Sequence, residues 1–536
     1  MTASPQMDSV PADIFWRRAV WAIVLAGAAL RIGVWLQAYP LWHDEAATAA
    51  NFLDRSFGDF PRPLDYTQVA PLGYVWAEVA AVKRFGFGER SVRLVALLCG
   101  VGGLAIFGRL SLATLRGPSS ALAVAFLAVA SYPVRHAVEV KPYAGDLLVS
   151  ATLVLLAWRA HQRPSVGRLA TLAAFGPIAL LCSFPAVFVL GGCLLSLAPA
   201  LWRSDWKVRG AWAGAGLLAA GTFFVLLRFT MEPQHQAHAG GMTAHWGEAF
   251  PPRTGVLPML RWCLEAATGV AFAYPLGGGN SASTLTTLLV VVGVVSLWKR
   301  DRWLPCCAAA VVALALAAAI LHRYPFGGHA RVMQYLGPFV CLFAGTGVAA
   351  LIRWRPRFPE SERRRLALAF SVLGAIGVGL AARAAAKPYA MLDDVHARAF
   401  ARWFWQDHVG AAPTVQATDL LEAQHPGAPL FTPQFRCYRA IYAAGPTATL
   451  RESLPRLDRE TAFVVHYLQL AEKREQVVAD WRRGMERAYR LVREERFDVN
   501  PGKEWHGVYL LLTFAPGSPG GSPDLPGSTA TIASPR

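Results

Sequence analysis

Two adjacent carboxylates, Asp44 and Glu45, stand in the run Trp42-His43-Asp44-Glu45. An ionised side chain of this kind can take the proton from a hydroxyl or amine as it attacks an electrophile. The run Arg135-His136-Ala137-Val138-Glu139-Val140-Lys141-Pro142-Tyr143 supplies another carboxylate between cations, with Asp146 just beyond. A third group, Arg323 and Tyr324-Pro325-Phe326-Gly327-Gly328-His329-Ala330-Arg331, joins cations to a Gly-Gly turn whose backbone N–H groups, with an arginine fork, suit phosphate oxygens. Lastly, Ala70-Pro71-Leu72-Gly73-Tyr74 is followed by Glu89-Arg90-Ser91-Val92-Arg93-Leu94. The chain thus offers a candidate base together with cations able to grip a phosphate.

Each group also has a plainer reading. Asp44 and Glu45 suit the acidic first turn of a helix running through Ala46 to Leu53. Arg93 at a membrane edge can snorkel, and Glu139 and Asp146 can pair with Arg135 or Lys141 without doing chemistry. Tyr324 fits an interfacial aromatic belt. Residues 231–256 hold His235, His238, His245, Trp246 and Glu248, a candidate lid or acceptor groove. The histidine spacing fits no standard metal pattern, so no metal ligands are assigned and a divalent cofactor stays open.

The elements that position these residues are membrane spans. The chain is 54% hydrophobic and 16% charged, and its mean hydropathy is +0.33, a balance unlike that of water-soluble domains. Apolar windows near 19–38, 92–110, 119–134, 143–160, 168–183, 185–202, 210–230, 283–298, 303–321, 333–352 and 366–386 predict about eleven spans of a hydrocarbon core about 30 Å thick. The stretches 71–84 and 257–275 suit interfacial helices or short spans. The net charge of +17 is spread over short loops rather than gathered in one stripe with stacking aromatics, so it marks topology and not nucleic-acid binding. Its clusters, such as Arg17-Arg18, Arg203-Lys207-Arg209 and Arg363-Arg364-Arg365, all fall on one side of the predicted spans. That side is cytoplasmic, so the N-terminus is expected inside, the C-terminus outside, and all four chemical groups on the outer face of an inner (plasma) membrane. The first run reads as an uncleaved span. Seven of the eight cysteines lie in or beside apolar segments and make no disulfide framework.

The expected fold is an all-α polytopic membrane protein with a small C-terminal α/β domain. Residues 1–386 form the transmembrane catalytic domain, with juxtamembrane helices in its first outer loop, 39–91. Residues 387–515 form an extracytoplasmic domain with strands at 462–467 and 507–512 and an amphipathic helix at 471–492. The Gly-, Ser- and Pro-rich stretch 516–536 is expected to be disordered.

Taken in order, the acidic pair Asp44-Glu45, the Ala70-to-Tyr74 run, Arg93-Leu94 with Gly100, the Glu139-Lys141-Pro142-Tyr143 segment and Tyr324-Pro325-Phe326 with Arg331 resemble the GT-C superfamily of glycosyltransferases. The likeness is to the protein O-mannosyltransferase and lipid A aminoarabinose transferase type of family 39, and it spans roughly residues 15 to 355. Ala70 stands where that pattern often has a second proline, and Lys141 where it commonly has arginine. The resemblance implies the GT-C helical bundle and a polyprenyl-phosphate-linked sugar as donor, delivered to an extracytoplasmic lipid, glycan or protein. It implies Asp44 as the catalytic residue, with Glu45 beside it, and Arg93 as a functional arginine at the entry to the second span. In the mechanism expected on this reading Arg93, Lys141, His329 or Arg331 stabilises the departing phosphate, and Glu139 positions a sugar hydroxyl or holds Lys141. Tyr74, Tyr143 and Tyr324 are then expected to meet substrate. The competing class is a transporter or a flippase of lipid-linked sugars, whose charges line a pathway.

Overall fold

The computed structural model describes residues 9–237, 246–252, 255–277, 282–354, 359–408, 414–418, 431–443, 449–451, 457–468, 472–499 and 507–516. His238, His245 and the stretch 517–536 lie outside the described residues. Contacts divide the chain into two units. One comprises residues 1–38, 56–84 and 90–387; the other comprises 39–55, 85–89 and 388–536.

Among the described residues of the first unit, seven helices are long and apolar enough to cross a membrane: Ile14–Leu36, Ser91–Thr114, Tyr143–Gln162, Trp206–Ala237, Trp303–Ile320, Ala330–Arg353 and Glu360–Ala386. Shorter apolar helices at Pro118–Ala128, Val166–Cys182, Ala186–Leu201 and Ala282–Trp298 occupy the other sequence-predicted spans. The chain is a multi-pass membrane protein. The two ambiguous stretches are also short. Residues 71–84 form the helix Leu72–Phe85, and 257–275 contain the helix Val256–Ala266 followed by a π turn, Ala267–Ala271. At about 1.5 Å per residue neither reaches across a core of about 30 Å.

The helix Pro118–Ala128 is buried along its whole length, and it ends inside the bundle. A helix end leaves its last carbonyls without intrahelical partners, a serious cost away from water. Arg31, from the first span and only 1% exposed, meets this need. Its Nη2 donates to the Leu127 carbonyl at 3.1 Å and its Nη1 to the Ala128 carbonyl at 3.0 Å.

Glycine sets how closely the helices cross. A Cβ on Gly293 would fall on the carbonyl of Phe343, and one on Gly347 on the carbonyl of Leu289. The helices Ala282–Trp298 and Gly337–Arg353 therefore touch backbone to backbone, the small-residue packing that lipid favours.

In the second unit, strands β1 (Thr414–Thr418), β2 (Thr449–Arg451), β3 (Thr461–Leu468), β4 (Tyr489–Val499) and β5 (Gly507–Pro516) form one sheet in the order β2-β1-β3-β5-β4. β1 runs parallel to β2 and β3, while β5 runs antiparallel to β3 and β4. Alternation along β5 sends Val508, Leu510, Leu512 and Phe514 into a core with Trp481 and Met485 of the helix Glu472–Glu486. Tyr509, with the opposite parity, stacks on Phe400 of the helix Leu392–Trp403 at 4.4 Å. The helix expected over 471–492 thus stops at Glu486, and its last residues belong to β4 instead.

Candidate active site

The acidic pair opens a short helix, His43–Ala49, inside the second unit. Glu45, buried, reaches back so that its Oε2 accepts from the Trp42 backbone N–H at 3.4 Å, the acidic half of a capping box. Asp44 is half-buried, and its carbonyl accepts from the Thr48 hydroxyl at 3.2 Å. The helical reading of this pair is therefore realised, with Glu45 as the capping side chain and Asp44 beside it.

What fixes the segment comes from almost four hundred residues away. The helix Phe431–Tyr442 presents Gln434 and Tyr438, one turn apart, to Leu41. Gln434 Nε2 donates to the Leu41 carbonyl at 2.8 Å, while Tyr438 Oη accepts from the Leu41 N–H at 2.9 Å. Both backbone groups of a fully buried residue are thus satisfied by side chains. Cys437 Sγ, on the same helix, donates to the Ala46 carbonyl at 3.6 Å.

Gln434 Nε2 also donates to Asp394 Oδ1 at 2.8 Å, and Asp394 Oδ2 accepts from the Met391 N–H at 3.0 Å. Burial pushes the Asp394 carboxyl up to about 7 despite these hydrogen bonds, and the neighbouring charges of Glu45 and Asp393 act in the same direction. A buried carboxyl that titrates near neutrality therefore lies behind the acidic helix.

The first unit holds the cationic residues. Arg93 is buried at the end of the 3₁₀ turn Ser91–Arg93, which leads into the helix Leu94–Thr114. That helix meets the segment bearing Glu139 and Lys141 at Gly100, where a Cβ would fall on Ala137. Gly73 serves the helix Leu72–Phe85 in the same way, since its added Cβ would lie 2.7 Å from the Cys182 sulfur. Gly73 and Gly100 are thus points of close approach.

Glu139 is buried, and its carboxylate binds Arg135 through Oε1 and His136 Nδ1 through Oε2, the latter at 2.6 Å. Burial alone would raise its pKa, but the charges and hydrogen bonds of His136 and Arg135 outweigh it and hold the group at about 2. The side chain is a permanent anion that fixes a cation and an imidazole. It does not pair with Lys141, whose Nζ instead donates to Gln68 Oε1 at 2.6 Å. His136 is packed between Tyr132, stacked at 6.0 Å, and Tyr143, edge-on at 5.0 Å.

Tyr74 is buried in the helix Leu72–Phe85. Tyr324 donates to the Val332 carbonyl at 3.2 Å and packs on Phe188 at 5.2 Å and edge-on to Tyr335 at 6.4 Å. His329 and Arg331 share one aromatic partner. Trp246 meets the His329 ring edge-on at 5.1 Å, and the Arg331 guanidinium lies over the Trp246 ring at 4.9 Å. The segment proposed as a lid contributes this indole. Glu139 and Tyr143 thus meet at His136, and His329 and Arg331 meet at Trp246, whereas Asp44 and Glu45 belong to the other unit. Among the described residues no three His, Cys, Asp or Glu side chains gather as metal donors.

Gln434, Tyr438, Asp394, His136 and Gln68 were not singled out as site residues from sequence. Only His136, inside a charged run, carried a local signal.

No family model matches the chain, and no curated protein matches it in sequence. Its structure is similar to that of ArnT from Cupriavidus metallidurans in the apo state, with a TM-score of 0.52 and 13% identity over 91% of this chain and 97% of that one. It is equally similar to ArnT from the same organism bound to undecaprenyl phosphate, with a TM-score of 0.52 and 14% identity over the same shares of the two chains. At this identity the likeness is one of fold, and the chain has the GT-C fold.

Proposed function

We propose that the chain is an integral membrane glycosyltransferase that moves a sugar from a polyprenyl phosphate to an extracytoplasmic acceptor. The observation that carries this reading is the extent of the fold likeness, which takes in 91% of this chain and 97% of ArnT. That ArnT has been seen with undecaprenyl phosphate adds weight to a lipid-borne donor.

In the proposed reaction an acceptor hydroxyl or amine attacks the anomeric carbon with its lone pair. The bond from that carbon to the phosphate oxygen breaks, its electron pair leaves with the polyprenyl phosphate, and the configuration inverts. Asp44, assigned from the resemblance, takes the acceptor's proton. Glu45 holds the turn that presents Asp44. Arg93, Lys141, His329 and Arg331 are the groups proposed to meet the phosphate charge, each such contact contributing roughly 10²- to 10³-fold where it forms only as the bond breaks. Glu139 positions His136 and Arg135 rather than acting as a base, because a carboxylate held at about 2 is a poor proton acceptor. Tyr74, Tyr143 and Tyr324 are proposed to line the sugar's path. The N-terminus lies in the cytoplasm and the C-terminal domain outside the inner membrane.

Asp44→Asn is the test. Mass analysis of envelope lipids, glycans and proteins is expected to show one sugar increment missing and a lipid-linked sugar accumulating, with the variant present at normal levels. A flippase would keep its transport after this isosteric change. Unchanged glycosylation in the variant would overturn the transferase reading.

A further inference from the structure

A groove of about 610 Å³ opens on the flank of the first unit, between the helices Ala282–Trp298 and Pro359–Ala386, with Gly337–Arg353 as its floor. Leu285, Leu289, Leu351, Leu368 and Val372 are typical of its walls, and Arg365 stands at one end as the charged residue among them. From Arg365 to Ile376, which also lines it, the groove follows the helix for about 16 Å at 1.5 Å per residue. Its rim is bare: Leu285 is 60% exposed and Leu368 64%. In a membrane-spanning bundle those residues face the bilayer.

We infer that this groove seats one acyl chain of an anionic phospholipid, with the lipid phosphate held by Arg365. The inference does not depend on the transferase reading.

The charge near the groove selects the occupant. Residues 353–365 contain Arg353, Arg355, Arg357, Arg363, Arg364 and Arg365 against only Glu360 and Glu362, and Glu362 is already engaged by Arg353 at 3.4 Å. Within the described residues, the Arg365 hydrogen bonds all come from Nη1, which donates to the carbonyls of Ile352 at 3.2 Å and Trp354 at 3.5 Å. Those bonds aim the guanidinium and leave Nε and Nη2 as a fork for phosphate oxygens. The walls alone cannot select a lipid, because bulk lipid tails are as apolar as leucine and exchanging one for another gains little. Retention must come from the headgroup. An excess of arginine also places this end of the bundle at the cytoplasmic leaflet, where anionic lipids and basic segments attract one another.

The test uses the full chain in nanodiscs made of phosphatidylcholine with a tenth part of phosphatidylglycerol, followed by extraction into detergent and native mass spectrometry. One phosphatidylglycerol is expected to remain per chain, enriched roughly five- to tenfold over its share of the bilayer. Arg365→Gln and, separately, Ala369→Trp, which fills the groove, are expected to abolish that enrichment in protein that still elutes as a single species. Arg363→Gln with Arg364→Gln, exposed residues that do not line the groove, should leave it intact. Equal retention of the two lipids by the unaltered chain would overturn the inference. So would persistence of the enrichment in both groove variants, or its loss in the double control, which would trace it to a diffuse surface charge.

Discussion

Replacing Gln434 by leucine asks whether the helix Phe431–Tyr442 sets the position of the segment that carries Asp44. The side chain makes two buried hydrogen bonds from one nitrogen, each of 2.8 Å, to the Leu41 carbonyl and to Asp394 Oδ1. Leucine is close in size, so the change removes hydrogen bonds rather than volume. A buried carbonyl left without a donor costs about 1–3 kcal/mol, and a lost bond to a carboxylate about 1.5–3 kcal/mol. Together these are enough to release the Leu41 peptide, three residues before Asp44. A displacement of about 1 Å at a reacting group can lower a rate about 10²-fold.

The expected outcome for Gln434→Leu is therefore a fall in kcat of about 10- to 100-fold with KM little changed. It is accompanied by faster amide hydrogen exchange across residues 41–49, a readout that needs no knowledge of the sugar. Tyr438→Phe, which removes the acceptor for the Leu41 N–H at 2.9 Å, should act in the same direction but more weakly. Because both side chains grip one peptide, the double variant should fall short of the sum of the singles. If exchange over 41–49 is unchanged in both variants, the clamp does not hold the segment. If exchange rises but kcat stays within twofold while Asp44→Asn is inactive, the clamp is structural and Asp44 does not depend on it.

Two other perturbations probe the fold of each unit in turn. Asp394 is raised to about 7 in the folded chain, against about 3.9 when unfolded, so between these values the folded state holds a proton that the unfolded state has lost. Its contribution to stability is greatest below about pH 4 and declines as pH rises to about 7, by at most about 4 kcal/mol. Asp394→Asn should flatten that part of the pH–stability curve of the second unit, and parallel curves for the two proteins would show that the carboxyl is not the cause. In the first unit, Gly347→Ala puts a methyl on the Leu289 carbonyl and should lower the thermal midpoint in detergent by several degrees. Gly374→Ala, where nothing lies within 4 Å of the new carbon, should be neutral or slightly stabilising, by up to about 1 kcal/mol. Equal effects of the two alanines would show that the close crossing is not required.

The parts of this structure that could be read from sequence are those for which the solvent imposes a pattern along the chain. A bilayer demands long uninterrupted apolar runs, and eleven apolar helices among the described residues of the first unit stand where those runs are. The capping role of Glu45 was legible for the same local reason, since its partner is only three residues away. Arg31 shows where this legibility ends. Alone in an apolar run it carries no signal, because the carbonyls it satisfies, at Leu127 and Ala128, belong to a helix that stops short inside the bundle. Strand β4 was hidden for a different reason. It is an edge strand, and Arg490, Arg493, Glu494, Glu495 and Arg496 leave no alternation of apolar and polar faces to separate it from the charged helix before it. The grip on Leu41 is the furthest from view: Gln434 and Tyr438 lie 393 and 397 residues from the peptide they hold, and a Gln and a Tyr one helical turn apart are ordinary residues. What gives them meaning is an otherwise unsatisfied buried backbone, a requirement that exists only once the chain has folded.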